Sequence, residues 1–250
     1  MSEQPKSQPR SREQAAVFLV FGAVAVIFLV LMLVITQQNQ ITPTVIPTVG
    51  EGTTASVVDR YANIPRSNLE GGQPVLGSPE AKLLLVEFTN FRCPHCYDYK
   101  PTIEAIIDQL VKPGKVKLAI VPLFFSAEDD SLLAVHAALC ADKQQGFWQM
   151  HDALFDLQRR TAFTLPVLTE TAKNLGLDAV KLEACIRGNE VVETIQKGIE
   201  ITVAAGVDGT PTLLYSTDGG KTLQWFQVQG KNFGTGVTPE MVAALLDTLP

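Results

Sequence analysis

Basic clusters are missing from this 250-residue chain. Its 20 lysines and arginines are scattered, form no stripe, and are outnumbered by acids to a formal charge of −6. That balance excludes nucleic acid as a partner. Internal repeats of useful length are missing too, which removes solenoids and propellers. Histidine occurs three times and methionine four times. Met150 and Met241 are isolated, so no methionine cluster accompanies a cysteine as a copper carrier would want. Long apolar runs are absent, with a single exception.

The exception is AAVFLVFGAVAVIFLVLMLVI, Ala15 to Ile35, which carries no charged side chain. It accounts for most of a mean hydropathy of +0.15. As a helix it would span roughly 30 Å, the thickness of a bilayer's hydrocarbon core. A cleaved signal peptide would have a shorter apolar core and a small-x-small cleavage site, and the ITQQNQIT that follows is a poor one. The segment therefore reads as an uncleaved anchor. Lys6, Arg10 and Arg12 precede it, and the next basic residue is Arg60. The positive-inside rule places residues 1–14 in the cytoplasm and all that follows the span outside. The expectation is a single-pass protein of the cell membrane with its folded part on the outer side.

Residues 36–71 are rich in Thr, Gln, Pro and Gly with little periodicity, and read as a tether. The folded domain is expected over 72–250. LLLVEFTN, from Leu83, reads as a strand buried on both faces. The tetrad Cys93-Pro94-His95-Cys96 follows, then apolar residues at helical spacing, then a second strand over 115–122. This predicts a β-α-β unit with the cysteines at the carboxyl end of its first strand, the edge where α/β sheets bind ligands. Residues 126–205 read as a helical insertion opened by a capping box at Ser126 and Asp129. PTLLY, TDGGK and LQWFQVQ give a hairpin signal. Thr238 and Pro239 then start a closing helix. The order is β-α-β, helical insertion, β-β-α.

Two cysteines so spaced could hold a metal, form a structural disulfide or exchange electrons. Outside the membrane disulfides form and persist, which favours sulfur redox chemistry. At a helix N-terminus the free N–H groups and the dipole favour the thiolate of Cys93, with His95 adding to that. A dithiol stabilised in its reduced form becomes an oxidant. Pro94 fits the first helical turn. Cys93 is then the exposed nucleophile and Cys96, one turn on, the resolving thiol. Glu87 stands within the apolar strand, either as a surface acid on an edge strand or as a half-buried acid that moves the proton of Cys96.

The arrangement LLLVEFTNFRCPHC, a long helical insertion, and GTPT ahead of a strand resembles the DsbA family of thioredoxin-fold thiol:disulfide oxidoreductases. The resemblance implies Cys93 as nucleophile, Cys96 as resolver, His95 as tuner and Glu87 as buried acid. It also implies a cis bond between Thr210 and Pro211, facing the cysteines, where an extended substrate strand could pair. Without it Pro211 would have only a turn-and-strand-start role. Exported proteins with free thiols would be the substrates. A membrane partner passing electrons to quinone would re-oxidise the pair, since nothing in this chain could hold a quinone.

The second pair, Cys140 and Cys185, has no partner at short spacing. A structural disulfide tying two helices is the expected state, and two buried free thiols the alternative. His136 and Cys140 share a helix face, but no ligand cluster accompanies them, so no metal and no cofactor is expected. Against the oxidase stand a reductase or isomerase of the same fold, and a copper- or zinc-binding metallochaperone using Cys93, His95 and Cys96.

Overall fold

The computed structural model describes residues 60–126 and 128–249. The apolar span Ala15–Ile35 and most of the tether lie outside the described residues, among which no helix is long and apolar enough to cross a membrane.

The strands β1 (Arg66–Asn68), β2 (Pro74–Leu76), β3 (Leu83–Thr89), β4 (Val116–Pro122) and β5 (Thr212–Ser216) form one mixed sheet in the order β1-β2-β4-β3-β5. β3 and β4 run parallel, and β5 lies antiparallel to β3 on its other side. β3 is therefore central, and all seven of its residues are buried. Its alternating side chains feed two cores. Leu83 and Leu85 pack beneath the active-site helix and the insertion, while Leu84, Val86 and Phe88 pack on the opposite face. Glu87 shares the first face by the period of two.

Helix α1 (Pro94–Ile106) is the crossover between β3 and β4, and continues through a π-helical turn, Ile107–Val111. The insertion contributes α2 (Ser131–Asp142), α3 (Phe147–Leu157), α4 (Leu165–Asn174), α5 (Ala179–Arg187) and α6 (Val192–Ala204). Asp178 caps α5, its carboxylate accepting from the N–H groups of Val180 and Lys181. The closing helix α7 (Pro239–Leu246) is capped by the Thr238 hydroxyl, with Pro239 in its first turn.

Three expectations are corrected. The ordered domain starts before Gly72: Tyr61 is 2% exposed in the main core and β1 pairs with β2. The helix expected from Ser126 begins at Ser131. The N–H of Ser126 does donate to Asp129 (3.0 Å), but Asp129 also accepts from Ser131 N–H (2.8 Å), so the pair closes a loop and starts the helix later. The hairpin is broken as well. Gln224 meets Tyr215 in a lone bridge, and the N–H of Leu213 donates to Gly234 O (2.7 Å). Between these points the chain turns out as its own hairpin, β6 (Phe226–Val228) and β7 (Lys231–Phe233). Positive φ at Gln229 (52°) and Gly230 (74°) makes the two-residue turn that such a hairpin needs.

Cys140 on α2 is bonded to Cys185 on α5, closing a 45-residue separation. Constraining the unfolded chain over such a loop stabilises the domain by about 4 kcal/mol in the chain-entropy model. Replacing both cysteines by alanine is expected to lower the unfolding free energy by that much, read as a lower urea midpoint, with the dithiol chemistry retained. An unchanged midpoint would show that the tie contributes nothing.

Candidate active site

The sequence around the tetrad folds locally. After β3 the Asn90 side chain accepts the N–H of Arg92 (2.6 Å), and its carbonyl accepts that of Cys93 (3.0 Å). This turn makes Cys93 the N-cap of α1. Pro94 takes the first helical position, where an N–H would have no partner anyway. Pro94 and His95 are exposed, whereas Cys93 and Cys96 are unbonded thiols that lie largely buried. Cys93 is 5% exposed and Cys96 1%, so the nucleophile expected to stand free is only a little more open than its partner. The reason is the packing around it. The Cys93 thiol meets the Thr210 carbonyl (3.3 Å), and the Gln158 amide donates to the Cys93 carbonyl (2.9 Å). The Thr210-Pro211 bond is cis. Beside it a cleft of about 240 Å³ is lined by Asn90, Phe124, Phe125, Val207 and Gly209 among others. Phe125 is 62% exposed at its edge.

Beneath the thiols lies a buried polar layer. Glu87 is 2% exposed, and no hydrogen bond reaches its Oε2. The edge-strand alternative is removed because β3 has a neighbour on each side. Burial pushes the Glu87 carboxyl up to about 7, with His151 and Thr89 acting in the opposite sense. Burial likewise pushes the Cys96 thiol up to about 12, and Glu87 adds to this. Thr210, Thr89 and the Asn90 N–H, which meets its sulfur at 3.4 Å, pull it down. Tyr99 is also raised, by burial and then by Glu87, and its hydroxyl donates to Val237 O (2.5 Å). Cys96 therefore holds its proton firmly near neutral pH and needs a base to lose it, while Glu87, pushed up to about 7, titrates in that range.

A cationic rivet joins the tetrad to the insertion. Arg92 pairs through two nitrogens with Asp130, Nε meeting Oδ1 at 2.7 Å. It also donates to Gln158 O (2.6 Å) and Thr161 O (2.9 Å), and its guanidinium lies 3.8 Å from the Phe163 ring centre. Asp130 in turn accepts the Phe163 N–H (2.7 Å). These bonds hold the α3–α4 connection against the residue before Cys93. Asp130→Asn is expected to lower stability by about 2 kcal/mol, the scale of a charge-assisted hydrogen bond. Chemical denaturation measures it, and an unchanged midpoint would contradict the rivet.

Of the expected site residues, the structure thus brings together Cys93, Pro94, His95, Cys96, Glu87, Thr210 and Pro211. The Cys140–Cys185 bond lies apart, within the insertion. His136 is lowered by burial and shares α2 with Cys140, whose sulfur is committed to Cys185. Among the described residues no group of three or more metal-type ligands gathers. Arg92, Asp130, Gln158 and His151 were not foreseen. Arg92 adjoins the tetrad in sequence, but its partners come from the insertion and carry no local signature.

A strand-to-helix cysteine pair facing a cis-proline loop over a buried acid defines a thiol:disulfide oxidoreductase on a thioredoxin-like sheet. Comparison with known proteins agrees. The family model described as Thioredoxin matches residues 69–221, more than half of the chain, and the chain belongs to that family. Among curated relatives it is similar to disulfide bond formation protein D of Bacillus subtilis, 26% identical over 57% of this chain and 67% of that one. It is similar also to thiol:disulfide interchange protein DsbA of Bordetella parapertussis, 25% identical over 64% of this chain and 72% of that one. The oxidised crystal structure of BdbD from Bacillus subtilis covers 70% of this chain and 91% of its own, with a TM-score of 0.57 and 22% identity, a likeness of fold. DsbA-type protein thiol:disulfide exchange is the activity of this chain, and these relatives do not favour the metal-carrier alternative.

Proposed function

We propose that this chain is a membrane-tethered dithiol oxidase that forms disulfides in exported proteins. Residues 1–14 lie in the cytoplasm, Ala15–Ile35 cross the membrane, the following residues tether the domain, and the domain works outside. The apolar run and the flanking charge asymmetry support that placement. The observation that carries the chemistry is the contact of the Cys93 sulfur with the Thr210 carbonyl, above a buried Cys96 and Glu87.

In the reaction a substrate thiolate attacks the Cys93 sulfur of the Cys93–Cys96 disulfide. Cys96 leaves as a thiolate and takes a proton from Glu87. A second substrate thiolate then attacks the substrate sulfur, so that the substrate gains a disulfide and Cys93 is released as thiolate. Two electrons have passed to the protein. A membrane partner linked to quinone would take them back. Pro94 and His95, exposed between the cysteines, tune the leaving thiolate. Thr210 and Pro211 present backbone to an extended substrate strand, and the cleft beside Phe125 can receive an apolar neighbour of the substrate cysteine. Cys140–Cys185 is structural.

The test is a single turnover. The oxidised full chain is mixed with an unfolded protein carrying two thiols and quenched with acid. One substrate disulfide should appear for each Cys93–Cys96 pair reduced, and failure of transfer would sink the oxidase. For topology, protease added to intact spheroplasts should release a soluble domain. A domain protected until lysis would place it inside.

A further inference from the structure

One side chain of the insertion reaches the backbone of the active-site cysteine. Gln158 follows the last turn of α3 and is 9% exposed. Its backbone is fully used: the N–H donates to Phe155 O (3.2 Å) and the carbonyl accepts Arg92 Nη1 (2.6 Å). The side chain is used at one end only. Nε2 donates to the Cys93 carbonyl (2.9 Å), whereas Oε1 is sealed from solvent and has no hydrogen-bond partner. A carbonyl can only accept, which fixes the amide nitrogen on the side of Cys93.

Stability alone would not select this arrangement. A buried amide oxygen left without a donor weakens the fold and calls for a functional reason. Nor would the Cys93 carbonyl be orphaned without the amide, because it already accepts the Tyr97 N–H (3.2 Å), the first bond of α1. An apolar side chain of the same length would serve the packing at least as well. What glutamine adds is a dipole, with its positive end against the residue whose sulfur reacts.

The surroundings of Cys93 give that dipole something to do. Cys93 is the N-cap of α1, yet no side-chain cap bond forms there. Its thiol meets the Thr210 carbonyl (3.3 Å), an acceptor that suits a thiol and repels a thiolate. Arg92, next in sequence, is committed elsewhere: Nε and Nη2 pair with Asp130, and Nη2 also meets Thr161 O (2.9 Å). Arg159, the next residue after Gln158, is paired with Asp98. His95 is exposed.

We propose that Gln158 is a positioning residue for the redox chemistry of Cys93: its amide N–H, held against the Cys93 carbonyl, favours the reduced pair with Cys93 as thiolate over the uncharged disulfide. Stabilising the reduced form makes the disulfide the stronger oxidant. The inference rests on the oxidase reading above and names the residue through which the insertion sets the strength of the pair. In exchange with glutathione, two glutathione thiols give two electrons to the Cys93–Cys96 bond. Cys93 leaves as thiolate, Cys96 takes up one of the two protons, the other goes to solvent, and glutathione departs as its disulfide. Gln158 acts on this balance through the Cys93 backbone.

The experiment is the redox equilibrium of the full chain with reduced and oxidised glutathione at pH 7. It compares wild type with Gln158→Leu, Gln158→Met and Gln158→Glu, alongside urea denaturation of each reduced protein. In the Leu and Met variants the equilibrium should move about threefold to fivefold towards the protein disulfide, within the net worth of one neutral hydrogen bond. Gln158→Glu sets negative charge where the N–H was and should move it further the same way, by about tenfold or more. The urea midpoints of the Leu and Met variants should not fall below wild type, since an unmet oxygen has been removed. Two apolar variants keep a packing fault in one from deciding the matter. Equilibria equal to wild type in all three variants, or a shift towards the dithiol in Gln158→Glu, would overturn the proposal. A wild-type midpoint at that of thioredoxin would sink the oxidase alone, because the effect of Gln158 is read as a ratio of variant to wild type.

Discussion

Cys93→Ser leaves no measurable disulfide transfer, whereas Cys96→Ser, mixed with a protein that carries a disulfide, holds that protein as a stable mixed disulfide on Cys93. Both outcomes follow from placement. The Cys93 thiol meets the carbonyl of Thr210, which lines the cleft, and Cys96, the more buried of the two, sits against the Asn90 N–H. An incoming thiolate is therefore expected at the first sulfur rather than the second. Without Cys93 no covalent intermediate forms, and the loss should reach about a thousandfold or more, the scale for removing a nucleophile. Without Cys96 the Cys93 thiolate still opens the disulfide of an oxidised protein, releasing one of its sulfurs as thiolate, and no neighbouring thiol resolves the product. Mass spectrometry of acid-quenched mixtures measures both. Capture by the Cys93→Ser variant would invert the assignment of roles.

The second large effect concerns stability. Glu87 is raised from 4.5 to about 7 by burial. The folded state therefore binds its proton more tightly than the unfolded chain does. Below about 4.5 the acid is neutral in both states and costs nothing. As pH rises towards 7 the unfolded chain ionises first, and stability falls until the folded state ionises too. Above that the penalty is constant, on the order of 3 kcal/mol. Glu87→Gln, which has no charge to bury, should be more stable than the wild type by about that amount at pH 8 and about equal to it at pH 4. Urea denaturation of the reduced protein across this range gives the comparison. A gap that does not vary with pH would mean that Glu87 is not held as a buried, titrating acid.

These effects centre on residues that the sequence made visible, and the reason is locality. The apolar run from Leu83, the tetrad and the helical spacing after it each state their structure within a few residues. The caps at Asp178 and Thr238 do the same, because a cap needs only its own side chain and the next turn. Cys140 and Cys185 could be paired only because few cysteines were available. Elsewhere the sequence was silent or misleading. Asp130 is one of three consecutive acids ahead of a helix, and nothing local shows that it is occupied by Arg92, 38 residues earlier in the chain. His151 sits at helical spacing among aromatic residues, and nothing local shows that it is buried with its Nε2 unpartnered. The hairpin after Tyr215 failed because Gly234, beyond the expected second strand, takes the hydrogen bond of Leu213. Interactions between distant segments have no sequence period, so they appear only when the chain is folded.

The measurement that tests the oxidase most directly is the redox equilibrium of the full chain against glutathione, read as the fraction of Cys93 and Cys96 that is bonded. Thioredoxin rests near about −270 mV and strong oxidants of this chemistry near about −120 mV. A midpoint close to the latter is predicted, with the pair passing its disulfide to glutathione readily. A midpoint at or below that of thioredoxin would contradict the account and assign the same site to a reductase.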